Sequence, residues 1–253
     1  MIPPNGHWPS AARLVGVGLG PGDPDYVTMR ALKVLRAADR VVHFAKKGER
    51  GHARTIADAV IGPDPGRELP LYYPVTTEIP LAHPDYAAAI CEFHEMAAAR
   101  LIDEIVTGRS VAVLCEGDPF FYGSFIHLWL RLKDRVAIEI VPGITGMAGA
   151  GAGAGAGMPI GWADDVLTVL PATLRYADLV ERLGSTDAAV IIKLGRNLPK
   201  VRDALAAAGL LDRAIYVERA TMTGQRISPV ADMGEDSVPY FSLILVPGRG
   251  RRG

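Results

Sequence analysis

Two hydrophobic periods alternate along the chain. Arg13-Leu-Val-Gly-Val17 is an apolar run of strand type, and Tyr26 to Ala38 places Val27, Ala31, Leu32 and Leu35 at helical spacing. Arg40-Val-Val-His-Phe44 returns to a strand pattern. Strand, helix and strand in succession build a parallel sheet with a right-handed crossover. The alternation goes on to predict a helix over His52–Ile61, a strand over Glu68–Tyr72 and a long helix over Pro84–Thr107, framed by its proline and by Gly108. Ser110 to Cys115 is almost wholly apolar, which predicts a strand buried on both faces. A helix over Tyr122–Leu132 and a strand over Ala137–Val141 complete this half.

The second half reads differently. Strands are expected at Val166–Leu170, Ala188–Lys193, Ala214–Glu218 and Tyr240–Val246, with a short edge strand at Arg226–Pro229. Helices are expected at Thr173–Leu183 and Pro199–Ala208. Fewer crossovers imply a mixed sheet. The fold class is therefore α/β, in two α/β domains: residues 11–142 with a mostly parallel sheet, residues 143–247 with a mixed one, and a basic tail over 248–253. Gly149 to Gly157 alternates glycine and alanine, a poor free-standing helix. It reads equally as a linker or as a wall without side chains that lets a flat ligand or a neighbouring element come close.

Three turns follow three strands. The first is Gly16-Val-Gly18-Leu-Gly20-Pro-Gly22-Asp23. A dinucleotide fingerprint would need glycine at the sixth position of G-x-G-x-x-G. Counting from Gly16 that position is Pro21, and from Gly18 it is Asp23; the second strand also ends at His43-Phe44 without a ribose-binding acid. A nicotinamide-dependent oxidoreductase is thus the weaker alternative. Pro21 fixes its φ, Gly22 permits a positive one, and Asp23 can cap the following helix. The second turn is Cys115-Glu-Gly-Asp-Pro-Phe-Phe-Tyr-Gly123, and the third is Val141-Pro-Gly-Ile-Thr-Gly146. Ligands bind at the carboxyl ends of strands in open parallel sheets, so the three turns are expected to share a site.

Gly18-Leu-Gly-Pro-Gly-Asp23, Glu116-Gly-Asp-Pro119 and Val141-Pro-Gly-Ile-Thr145, in that order, resemble the three signatures of the tetrapyrrole methylases, and the resemblance runs from Arg13 to Val246. Within the family, Phe44-Ala-Lys-Lys47 with Gly51-His-Ala-Arg-Thr55, Leu71 to Pro80, Trp162 to Leu170 and Tyr216 to Thr221 resemble the branch that methylates precorrin-2 at C-20. The resemblance implies S-adenosylmethionine as cofactor, held in a cleft between two α/β domains, a tetrapyrrole substrate and a homodimer. Carried onto this chain, it places the cofactor against Pro21, Glu116, Gly117, Asp118, Phe121, Thr145 and Gly146, with Leu194 and Ala220 from the second domain. Leu194 stands where relatives often carry methionine, and the Gly/Ala run replaces a more varied segment.

The branch implied is the C-methyltransferase that turns precorrin-2 into precorrin-3A in cobalamin synthesis; another methylase of that pathway and a non-enzymatic tetrapyrrole carrier are the alternatives within reach of the same fold. Such a substrate carries many carboxylates and needs basic groups. Lys46, Lys47, Arg50, His52 and Arg54 form the best local cluster, with Arg219 and Arg226 secondary. His43, Asp23 and Glu218 sit where a base could take up the proton lost in methylation.

Composition adds exclusions. The chain has 253 residues, 49% hydrophobic and 22% charged, with formal net charge −1. That balance offers no global attraction for nucleic acid or an anionic membrane. Met1 to Arg13 lacks the apolar core of a secretory signal, and no stretch is long enough to span a bilayer. The two cysteines, Cys91 and Cys115, stand in unrelated contexts, which fits a reduced, cytoplasmic protein. Cys91-Glu-Phe-His94 has no second ligand pair, so no metal site is expected.

Overall fold

Leu14–Gly18 (β1) is buried along its length because it lies between two strands and under helices on both faces. Met29–Ala37 (α1) leads to Arg40–Lys46 (β2), and His52–Ile61 (α2) to Glu68–Tyr73 (β3). Pro84–Val106 (α3), Val111–Cys115 (β4), Phe125–Leu132 (α4) and Ile138–Val141 (β5) follow. The sheet has the order β3-β2-β4-β1-β5, and every pairing in it is parallel. The structure, a computed structural model, describes residues 13–74, 84–153 and 159–248.

The chain divides into two compact units, residues 1–145 and 146–253. In the first, Val15, Val17, Ala112 and Leu114 face α1 and α2, while Leu14, Val111, Val113 and Cys115 face α3 and α4. β4 is thus apolar at every position for the reason its sequence indicated: both faces are covered. Gly16 has no side chain because a Cβ there would lie 2.7 Å from the Phe125 ring.

The second unit contains Gly146–Gly153 (α5), Leu167–Pro171 (β6), Tyr176–Gly184 (α6), Ala188–Ile192 (β7), Leu198–Ala207 (α7), Ile215–Glu218 (β8), Arg226–Pro229 (β9) and Ser242–Val246 (β10). Its sheet runs β6-β7-β10-β8-β9, parallel between β6 and β7 and antiparallel elsewhere. Leu179, Leu183, Leu198, Val201 and Leu205 of α6 and α7 cover one face. On the other, Ala150 of α5 packs among Val190, Val217, Leu243 and Leu245.

Three differences from the sequence reading have local causes. The helix expected from Tyr26 begins at Met29, since Pro24–Tyr26 form a separate 3-10 turn. Asp23 caps that turn, accepting from the Asp25 N–H at 2.9 Å, and Thr28 caps α1, accepting from Ala31 at 3.1 Å. α4 starts at Phe125, not at Tyr122, which takes φ +58°. The Gly/Ala run is helical over Gly146–Gly153, where the apolar sheet face offsets its low intrinsic propensity; residues 154–158 lie outside the described set.

The unit boundary falls after Thr145 instead of after Pro142. The third signature turn stays with the first unit because the Gly143 N–H donates to Asp118 Oδ2 at 3.0 Å.

Candidate active site

The three glycine turns meet at the carboxyl ends of β1, β4 and β5. Gly20 and Gly117 exchange backbone hydrogen bonds: the Gly117 N–H donates to Gly20 O at 2.8 Å, and the Gly20 N–H to Gly117 O at 3.3 Å. Leu19 N–H donates to Cys115 O at 3.0 Å. Gly20 has φ +82° and Gly117 φ +65°, a region that glycine enters without strain. A Cβ on Gly18 would lie 2.5 Å from Gly143 N and 2.7 Å from Gly117 O, both backbone atoms with nowhere to go. The three signatures are therefore one interlocked structure whose glycines are required by mutual approach.

Asp118 is the fastener. Its Oδ2 accepts from Gly143, and its Oδ1 accepts from the Phe120 N–H at 2.9 Å. Pro21 is buried beside these turns, while Phe121, Gly117 and Thr145 are half-buried. Glu116 is exposed, and its Oε1 accepts from the Ala53 N–H, in the first turn of α2, at 3.1 Å.

The basic segment after β2 separates into two groups. Lys46, Lys47, Arg50 and His52 are exposed, but Arg54 is 1% exposed. Its Nη2 lies 2.7 Å from Asp58 Oδ1, an ion pair not aligned as a hydrogen bond, and its Nε lies 3.7 Å from Glu68 Oε2. Arg50 joins the same acids, its Nε donating to Asp58 Oδ2 at 2.5 Å. Arg54 thus does not present itself to an incoming carboxylate as its place in the basic cluster suggested. Burial turns it inward, and two acids hold it there.

The proposed bases are likewise engaged. His43 is buried, with Nε2 2.9 Å from Glu68 Oε1. Desolvation lowers its pKa, against the opposing pull of Glu68. Asp23 caps the 3-10 turn. Glu218 Oε2 accepts from the Tyr216 hydroxyl at 2.7 Å, and burial followed by that contact raises the tyrosine pKa. Among the described residues, no group of three or more His, Cys, Asp or Glu is placed to hold a metal ion. Both cysteines are free thiols, Cys91 exposed and Cys115 buried. No described helix is long and apolar enough to cross a membrane.

In the second unit, β7 and β8 both run antiparallel to β10, so their carboxyl ends lie at the same edge. Leu194 follows β7, and Arg219 and Ala220 follow β8. Leu194 is buried in the core, so any ligand there would meet its neighbouring backbone before its side chain. Lys193, Arg219 and Thr221 have φ of +59°, +49° and +65°, a cluster of strain at one sheet edge. Gln225, which sequence reasoning missed, holds this loop. Its Oε1 accepts from the Thr221 N–H at 2.7 Å, and its Nε2 donates to Gly153 O, the end of α5, at 2.8 Å. Nothing in the sequence signals a contact between positions so far apart. Asp58, also missed, was detectable as the i,i+4 partner of Arg54.

Parallel-strand ends lined by glycine backbone are the place where α/β folds commonly bind small organic ligands. The chain belongs to the family of Tetrapyrrole (Corrin/Porphyrin) Methylases, whose profile matches residues 13–233. It is 50% identical over 236 residues to a precorrin-2 C(20)-methyltransferase of Sinorhizobium sp., covering 93% of this chain and 95% of that one. It is 30% identical over 240 residues to a cobalt-precorrin-2 C(20)-methyltransferase of Salmonella typhimurium, covering 92% and 95%. A solved cobalt precorrin-4 methyltransferase, 25% identical, superposes with TM-score 0.69 over 93% of this chain and 94% of that one.

Proposed function

We propose that this chain transfers a methyl group from S-adenosylmethionine to C-20 of precorrin-2, giving precorrin-3A in cobalamin synthesis. The observation that carries this reading is the 50% identity, over nearly the whole chain, to a C-20 methyltransferase. The metal-free ring is favoured over the cobalt-bearing one because the C-20 relative named for precorrin-2 is 50% identical, against 30% and 28% for two named for cobalt-precorrin-2.

The residues at the turns suit the cofactor by their chemistry. Gly20, Gly117 and Gly143 keep the strand ends free of side-chain bulk so that a ligand can lie close to the backbone, Phe121 offers a ring face, and Thr145 is a polar neighbour, while Asp118 holds the turns in place. Gly146, Leu194 and Ala220 are assigned to the cofactor by family resemblance. When bound, S-adenosylmethionine supplies a methyl group made electrophilic by its sulfonium. The protein's task is then alignment, from which roughly 7–11 kcal/mol of the barrier can come. Lys46, Lys47 and His52 would meet substrate carboxylates directly, with Arg219 as a further contact. His43, Asp23 and Glu218 each already serve a neighbour, and none is assigned as a base.

The protein is further proposed to act as a cytoplasmic homodimer, on the strength of the resemblance; light scattering on the purified protein tests the assembly. The decisive experiment is anaerobic methyl transfer to precorrin-2 and to cobalt-precorrin-2, beside calorimetry with S-adenosylhomocysteine and NAD. Turnover of precorrin-2 with binding of the homocysteine nucleoside is expected. NAD binding, or cofactor binding without methyl transfer, would sink the proposal in favour of an oxidoreductase or a carrier.

A further inference from the structure

We propose that Glu116 is a positioning residue that clamps the start of α2, and with it the basic turn Lys46–Gly51, onto the cofactor turn. The inference rests on the function proposed above and deepens it, since it gives Glu116 a duty toward substrate instead of cofactor.

The geometry begins with a helix that cannot cap itself. Gly51 occupies the N-cap of α2 with φ +76° and has no side chain to accept from the first-turn N–H groups. No other residue fits there, since a Cβ would lie 2.6 Å from Phe44 O. The first turn of α2 contains no acidic residue either. The missing acceptor comes from 63 positions along the chain, where Glu116 Oε1 takes the Ala53 N–H at 3.1 Å. A carboxylate there also complements the positive end of the helix dipole.

What the clamp joins gives it meaning. Glu116 adjoins Gly117, which is locked to Gly20 by two backbone hydrogen bonds. Ala53 adjoins Arg54, which with Asp58 and Glu68 forms the buried charged support that also engages Arg50. One carboxylate thus connects the glycine turns to the segment carrying Lys46, Lys47 and His52. If Glu116 sets that spacing, its loss should impair the tetrapyrrole and spare the cofactor.

The test compares Glu116→Ala with Glu116→Gln, whose amide oxygen can still accept from Ala53. Three quantities are read on the full chain: KM for precorrin-2, Kd for S-adenosylhomocysteine, and hydrogen exchange at the Ala53 amide. Glu116→Ala is expected to raise KM and to speed Ala53 exchange by about tenfold each, with Kd moving less than about threefold. Glu116→Gln should restore both. Equal losses of substrate and nucleoside binding would make Glu116 a direct cofactor ligand and overturn the proposal, as would unchanged KM and exchange. Should the alanine variant not fold, Glu116→Asp, which withdraws the carboxylate by one methylene, carries the same expectations. If the unaltered protein methylates neither ring, the functional reading falls by itself, while Ala53 exchange still decides whether the clamp exists.

Discussion

Asp118 accepts a hydrogen bond from the backbone of Gly143, 25 positions away, and so ties the turn after β4 to the turn after β5. The same carboxylate holds Phe120 with its second oxygen. One side chain therefore fixes two of the three signature turns, and the Gly20–Gly117 bridge fixes the third to them.

Replacing Asp118 by alanine should loosen both turns at once. Hydrogen bonds to a charged group are worth about 1.5–3 kcal/mol each, so affinity for S-adenosylhomocysteine should fall by at least about tenfold. The substitution Asp118→Asn keeps one acceptor oxygen, and its affinity should lie between those of the parent and the alanine variant. Calorimetric titration of the three proteins gives the order.

Gly18→Ala tests the close approach of the turns. The added methyl would strike Gly143 and Gly117 backbone, and backbone cannot step aside as a flexible side chain could. A loss of more than about 2 kcal/mol in urea unfolding is expected. A variant as stable as the parent would show that the turns are not interlocked.

Arg54→Ala and Lys47→Ala should separate support from contact. The first removes a fully buried side chain from beside Asp58 and Glu68, which keep Arg50 as a partner, and should destabilise the fold by about 1–3 kcal/mol. The second removes an exposed charge, should leave unfolding within about 0.5 kcal/mol, and should raise KM for the tetrapyrrole. Urea melts and steady-state kinetics on both variants check the division.

His94 makes stability depend on pH. Its Nδ1 lies 2.8 Å from Ile90 O, a pure acceptor, so Nδ1 carries the proton; Nε2 is buried without a partner. Burial, and then His127, lower its pKa from 6.5 to about 4. The folded state therefore binds fewer protons than the unfolded one between those values. Stability from this group is complete above pH 6.5 and is lost as pH falls toward 4, about 3 kcal/mol in all. The urea midpoint of His94→Phe should fall less over that window than that of the parent.

Gln225→Leu should release the strained loop after β8. It deletes the acceptor for Thr221 and the donor to the end of α5 while keeping volume. Faster hydrogen exchange at Thr221, with weaker S-adenosylhomocysteine binding, is the expected pair of effects.

The sequence by itself determined the order of the strands and of the helices other than α5, the parallel first sheet and the mixed second sheet. Side-chain periodicity and burial on both faces of β4 are local consequences of the residues present. It also marked the three glycine turns, because glycine at strand ends records a backbone constraint that other residues cannot meet. Tertiary structure alone decided what the charged residues do. Lys47 and Arg54 look alike in one basic stretch, yet the turn of α2 leaves one exposed and buries the other against Asp58. The Gly/Ala run could not announce a helix, since its stability comes from the face of β10 and its neighbours and not from its own propensity. Partners such as Glu116 and Ala53, or Gln225 and Gly153, are set by chain crossings that leave no trace in local spacing.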